Sequence, residues 1–149
     1  MMLNLLHHST IVVSDLEGSL RFYRDILGLK IVVDQEMQGH EINKILGMDD
    51  VRLRVVLLQI GEQETGLIGL LCFNGQKKQQ MIGQPPEPFH HALVLTTDDI
   101  DGVYNRLRDA GENPISEPVT VAIGGVGSVK IFTCRDPNGV LVEFDQFVT

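Results

Sequence analysis

Three side chains of this 149-residue sequence have the type and setting from which a divalent-metal site could be built: His8, His90 and Glu143. Neutral imidazoles and a carboxylate suit first-row divalent ions, and two His with one carboxylate leave coordination positions open for a substrate. His8 opens the run Ser9-Thr10-Ile11-Val12-Val13, and His90 opens His91-Ala92-Leu93-Val94-Leu95. Glu143 lies inside Val140-Leu141-Val142-Glu143-Phe144. Burying a carboxylate in such an aliphatic run costs on the order of several kcal/mol unless something positive or donating meets it. Taken singly, each residue has an ordinary alternative: a His satisfied within a strand, a Glu paired with an Arg. The matched placement of the two histidines, together with the stranded carboxylate, makes the set a candidate metal centre.

The elements that must position these residues are repeated. In both halves a His leads a β-branched and aliphatic run, and an acidic residue then starts a helical segment. From Asp15 to Gly28 is 13 positions, as it is from Asp98 to Gly111, and the strand-to-helix turn reads one residue longer in the second copy. Ser14 with Glu17 has the form of a capping box. Leu16, Leu20, Tyr23 and Leu27 share one helical face, and Ile100, Val103, Tyr104 and Leu107 share another. Gly28 and Gly111 fall where a helix ends in a left-handed residue.

Strand patterns follow each helix. They cover about Leu29–Met37, Val51–Ile60 and Leu67–Phe73 in the first half, with a short helical insert near Glu41–Leu46. In the second half they cover about Asn113–Ile123, Val129–Cys134 and Val140–Phe147. Gly124-Gly125-Val126-Gly127-Ser128 precedes no helix and reads as a hairpin connection rather than a phosphate cradle. Asp136-Pro137-Asn138-Gly139 is a turn tetrapeptide joining the last two strands. Residues 75–88, rich in Gln, Lys and Pro, read as a linker between a first module (1–74) and a second (89–149).

The expected fold is therefore α+β: two tandem βαβββ modules whose open sheets carry helices on one face and line a shared cavity with the other. Side chains alternate along a strand, so register decides which residues meet that cavity. Ile11 and Val13 belong under the first helix, which sends His8, Thr10 and Val12 to the opposite face. Leu93 and Leu95 do the same for His90, Ala92, Val94 and Thr96. His7 and His91 are out of register. Val140, Val142 and Phe144 form the apolar face of the last strand, with Leu141, Glu143 and Asp145 opposed.

Composition limits the function. A formal charge of −8 with scattered basic residues argues against a nucleic-acid partner. The apolar start, Met1-Met2-Leu3-Asn4-Leu5-Leu6, is too short for a signal h-region or a membrane span. Cys72 and Cys134 lie in apolar runs without CxxC spacing, as reduced core residues of a cytoplasmic protein do.

Over residues 5–147 the sequence resembles the vicinal oxygen chelate superfamily, which holds the glyoxalase, bleomycin-resistance and ring-cleaving dioxygenase proteins. The resemblance rests on His8-x-x-Ile-x-Val-x-Asp15 running into Phe22-Tyr23-x-x-x-Leu27-Gly28, on His90-x-Ala92, and on Asp136-Pro137-x-Gly139-x-x-x-Glu143. It implies the glyoxalase-like fold, a divalent metal (Fe(II), Mn, Zn or Ni), a small-molecule substrate held through neighbouring oxygens, and a homodimer. Such proteins draw ligands from the first, fourth, fifth and eighth strands. Here the fourth strand aligns Gly69 with the ligand slot, so the residue that shuttles the substrate proton in glyoxalase I has no counterpart. His8, His90 and Glu143 then look like an open triad. Isomerase or lyase chemistry leads; extradiol Fe(II) dioxygenase, fosfomycin-type thiol transfer and non-enzymatic ligand sequestration are the alternatives. Leu71, Val12 and Val94 give the expected cavity an apolar lining.

Overall fold

In each half of the chain a short strand feeds a capped helix, and three further strands complete a sheet beneath it. The computed structural model describes Asn4 and residues 6–75, 91–125 and 127–148. The first unit runs β1 (His8–Val12), α1 (Leu16–Leu20, continued by a π-helical turn over Arg21–Ile26), β2 (Lys30–Gln38), α2 (His40–Leu46), β3 (Arg52–Gln59) and β4 (Leu67–Phe73). The second runs β5 (Ala92–Thr96), α3 (Ile100–Asp109), β6 (Val119–Ile123), β7 (Gly127–Arg135) and β8 (Leu141–Val148). The chain divides into units Met1–Gln79 and Gln80–Thr149. The expected linker, apart from Gly75, lies outside the described residues, as does His90.

Each unit carries one four-stranded sheet, ordered β1-β4-β3-β2 and β5-β8-β7-β6. The first and last strands of each unit pair in parallel, and the other pairs are antiparallel. The fold is α+β with a tandem repeat of βαβββ order, as the sequence predicts.

The helix starts differ from expectation. Asp15, not Ser14, is the N-cap: its Oδ1 accepts from the Gly18 N–H at 3.1 Å. In the second unit the cap is Asp99, not Asp98, accepting from the Gly102 N–H at 3.0 Å. A Cβ at residue 18 or 102 would collide with the capping carboxylate, which is why a poor helix former stands in the first turn of both helices. With Asp99 as cap, both strand-to-helix turns have the same length.

The odd residue sits instead inside the first helix. The Leu27 N–H bonds the Phe22 carbonyl at 3.1 Å, a five-residue step that widens the turn and absorbs one extra residue. This also shifts the buried face. Leu16, Leu20 and Tyr23 are buried as expected, but Phe22 and Ile26 join them and Leu27 is only half-buried. Burying each of these large side chains stabilises the unit by roughly 1.5–3 kcal/mol. Gly28 and Gly111 end the helices at φ of +81° and +83°.

In the second unit Ile100 and Leu107 are fully buried, and Phe132 stacks on Phe144 with ring centroids 4.8 Å apart. Tyr104, expected to be buried, is half-exposed and meets Phe132 edge-on. β6 is shorter than the sequence pattern suggested. Pro114 and Pro118 lack the N–H a ladder needs, so residues 113–118 meet β7 through an isolated bridge from Pro114 to Cys134 and a bond from the Ile115 N–H to the Thr133 carbonyl rather than a continuous ladder. The glycine-rich loop is a hairpin, with Ile123 paired to Gly127. Cys134 is fully buried, and burial foremost, then the charge of Glu112, pushes its thiol up to about 12. Neither cysteine is in a disulfide.

The turn before β8 is built around Asp136, only 4% exposed. Its Oδ1 accepts from the Asn138 and Val140 N–H groups, each at 2.8 Å. Asp136→Ala strands both donors and is expected to destabilise the protein by about 2 kcal/mol. Asp136→Asn, which keeps an acceptor oxygen, is expected to cost about half of that. Urea denaturation of both variants checks the order.

Candidate metal centre

Val13, the residue after β1, is fully buried and Val12 is 56% exposed, so His8, Thr10 and Val12 share the face away from α1. In the parallel pair with β4, His8 stands level with Leu67 and Thr10 with Gly69. Gly69 is a strand residue pressed by its neighbours. A Cβ there would lie 2.7 Å from Thr10 Oγ1, 3.3 Å from His8 Cδ2 and 3.3 Å from Leu57 Cδ2. These contacts put His8, Thr10, Leu57 and the Gly69 slot on one face. They also explain why no side chain stands in that slot: the Thr10 hydroxyl takes the space. Gly69→Ala is expected to cost about 1–3 kcal/mol through overpacking. Adding Thr10→Ala should recover at least about 1 kcal/mol in a double-mutant cycle read by thermal unfolding.

The second unit carries the acids. Val142 and Phe144 are buried, so Leu141, Glu143 and Asp145 face away from α3, with Glu143 level with Val94 on β5 and opposite Thr133 on β7. Ala92 and Thr96 lie on the same exposed face of β5 as Val94, which is 54% exposed. The side chain of Gln146, on the helix side, ties β8 to the start of α3 through the Ile100 N–H (3.0 Å) and the Asp98 carbonyl (2.9 Å).

Glu143 and Asp145 are half-buried and sit two residues apart on one face of β8. Burial first, then the charge of Asp145, raises the Glu143 carboxyl above its usual range. Burial also raises Asp145, against a smaller lowering influence of Glu143. Asp145 Oδ1 is buried and has no hydrogen-bond partner among the described residues. Two crowded carboxyl groups with an unsatisfied oxygen are a donor set that a divalent cation fits.

The pairing registers relate the units. Gly69 stands opposite Thr10 as Glu143 stands opposite Val94, and the Val13 N–H bonds the Leu71 carbonyl as the Thr97 N–H bonds that of Asp145, both at 2.9 Å. Glu143 and Asp145 therefore correspond to Gly69 and Leu71. The residue corresponding to His8 is Ala92, not His90, which corrects the matched placement of the two histidines. Unit one offers an imidazole where unit two has an alanine, and unit two offers carboxyl groups where unit one has glycine and leucine. Among the described residues no group of three His, Cys, Asp or Glu stands together. Asp145 was legible in the sequence from its two-residue spacing to Glu143, which puts both on one strand face.

Away from these residues, β2 and β3 edge a cavity of about 320 Å³ lined by Glu36, Met37, Gln38, Arg52, Leu53 and Asn74. It includes none of the expected ligands. No helix among the described residues is long and apolar enough to cross a membrane.

The chain belongs to the Glyoxalase/Bleomycin resistance protein/Dioxygenase superfamily, whose family model matches residues 5–144. Among its relatives, a probable lactoylglutathione lyase of Vibrio parahaemolyticus is 25% identical over 93% of this chain and 88% of its own length. An ethylmalonyl-CoA/methylmalonyl-CoA epimerase of Cereibacter sphaeroides is 28% identical over 97% of this chain and 99% of its own. A glyoxalase family protein of Bacillus cereus shares the fold at a TM-score of 0.78, with 18% identity over 100% of this chain and 99% of its own.

Proposed function

We propose that this protein is a divalent-metal-dependent isomerase or lyase, with His8, His90 and Glu143 as metal ligands and a small substrate bound through neighbouring oxygens. The observation that carries the proposal is the half-buried Glu143–Asp145 pair with its unbonded oxygen, on the strand face turned away from the helix. A lyase and an epimerase among the relatives support the reaction class. A divalent ion held there would polarise a substrate carbonyl and make the adjoining C–H bond more acidic.

The chain's own side chains have distinct tasks in this reading. Glu143, as a carboxylate, would be the anionic ligand. Asp145, whose Oδ1 is buried without a partner among the described residues, would stand beside it as a further acceptor. The Thr10 hydroxyl, packed over Gly69, keeps a fourth protein ligand out and leaves that position to substrate. Val12, Leu71, Ala92 and Val94 supply apolar contact for the rest of the molecule.

The three-ligand count, with Gly69 sterically closed, also favours a second chemistry: extradiol cleavage of catechols with Fe(II). The deciding experiment is elemental analysis of protein purified without chelator or nickel resin, beside His8→Ala. Stoichiometric metal in wild type and loss in His8→Ala is the expected result; equal, negligible metal in both sinks the metalloenzyme. Oxygen uptake on catechols by the Fe(II) form would decide for the dioxygenase over isomerase or lyase.

The protein is further proposed to be a cytoplasmic homodimer. Support comes from edge strand β6, whose Val119, Val121 and Ile123 are all at least 40% exposed in one alternating row. Sedimentation of a monomer would refute the dimer.

A further inference from the structure

His7 and His8 meet through their rings: Nδ1 of one is 2.8 Å from Nδ1 of the other, with centroids 5.1 Å apart and planes at 85°. Neighbours within a strand point to opposite faces, but β1 begins at His8, so His7 is free of that alternation. Its backbone is nevertheless held. The His7 carbonyl accepts from the N–H groups of Gly66 (2.9 Å) and Leu67 (3.2 Å) at the start of β4. Gly66 reaches it with φ of +71°, which a glycine adopts without strain.

The opposite edge of the His8 ring faces β4, with Cδ2 at 3.3 Å from where a Cβ of residue 69 would lie. In imidazole Cδ2 adjoins Nε2 and lies across the ring from Nδ1. The ring is therefore gripped by Nδ1 on the His7 side, and Nε2 is the nitrogen left for another partner.

A bond between two ring nitrogens needs one N–H and one lone pair. We propose that His8 Nδ1–H donates to the bare Nδ1 of His7, so that His7 is a positioning residue holding His8 in the tautomer whose Nε2 lone pair can bind a divalent ion. The proposal rests on the ligand role of His8 given above. The reverse arrangement would place the His8 proton on Nε2 and block that atom. Ligating histidines are commonly oriented in this way by an acceptor on their second nitrogen, and its loss costs about 10–100-fold in metal affinity. Here the acceptor is the preceding residue, anchored by β4.

The test is Zn(II) titration of the full chain against a competing chelator, for wild type, His7→Ala, His7→Asn, His8→Ala and the double variant His7→Ala/His8→Ala. His7→Ala is expected to weaken binding about 10–100-fold. His7→Asn, which offers a carbonyl oxygen as acceptor, should recover most of the loss, and His7→Ala should add nothing once His8 is gone. Long-range ¹H–¹⁵N spectra of the metal-free protein should report His8 protonated at Nδ1 in wild type and a shift toward Nε2–H in His7→Ala. Wild-type affinity in His7→Ala, with loss in His8→Ala, overturns the positioning role and leaves the ligand standing. An equal His7→Ala loss with and without His8 overturns it as well. Wild-type affinity in His8→Ala overturns the ligand role itself.

Discussion

Glu143→Gln is expected to weaken Zn(II) or Mn(II) binding by more than about 100-fold, beyond the 10–100-fold that loss of an outer partner costs. The amide keeps the shape of the side chain but cannot become the anionic ligand. Its NH₂ group can donate to Asp145 and removes a like charge from that neighbour, so the apo fold should be retained. Equilibrium dialysis and far-UV circular dichroism on the same preparation separate the two effects. Asp145→Asn, altering the neighbour but not the ligand, should lose less. Were Glu143→Gln to bind metal like wild type, the carboxylate would have no ligand role and the proposed centre would fall.

Phe132→Ala is expected to destabilise the protein by about 3–5 kcal/mol, because a large ring is removed from a site that cannot collapse around the gap. Phe132 is 1% exposed, stacked on Phe144 and edge-on to Tyr104. That cost is a large share of the roughly 5–15 kcal/mol that holds an ordinary domain. The midpoint of guanidinium unfolding measures it. The substitution should also weaken metal binding, since Phe144 adjoins Glu143 on β8 and the packing of one face sets the aim of the other.

Alternation and helical periodicity were enough to read both βαβββ units, because α1, α3, β7 and β8 each bury one face and expose the other. Leu67–Phe73 is observed with the expected bounds. The errors arose where local chemistry outranks period. Ser14-x-x-Glu17 has the form of a capping box, yet Asp15-x-x-Gly18 wins because glycine lets the carboxylate approach the N–H. Leu27 fell off the buried face because a π turn changes the phase, which a fixed period cannot reveal. Prolines 114 and 118 keep β6 from starting before Val119, so only the alternation of Val119, Val121 and Ile123 becomes strand. The faces of His8 and Glu143 were readable from alternation alone. The pairing of repeat positions was not, since that depends on which aspartate caps each helix. The ring contact of His7 with His8 could not be read from period, because His7 lies outside the strand.

The strands that bear His8 and Glu143 are the ones that close each sheet: β1 waits for β4, and β5 waits for β8. Pairings between distant segments form late, after loop-closure entropy has been met by nearer contacts. A nascent or half-unfolded chain thus holds its histidine and its acids on unzipped edges, with no means to hold them in register. Capture of an ion would then report completed folding, and the ion, binding only the finished state, would raise the unfolding temperature in proportion to the logarithm of its concentration.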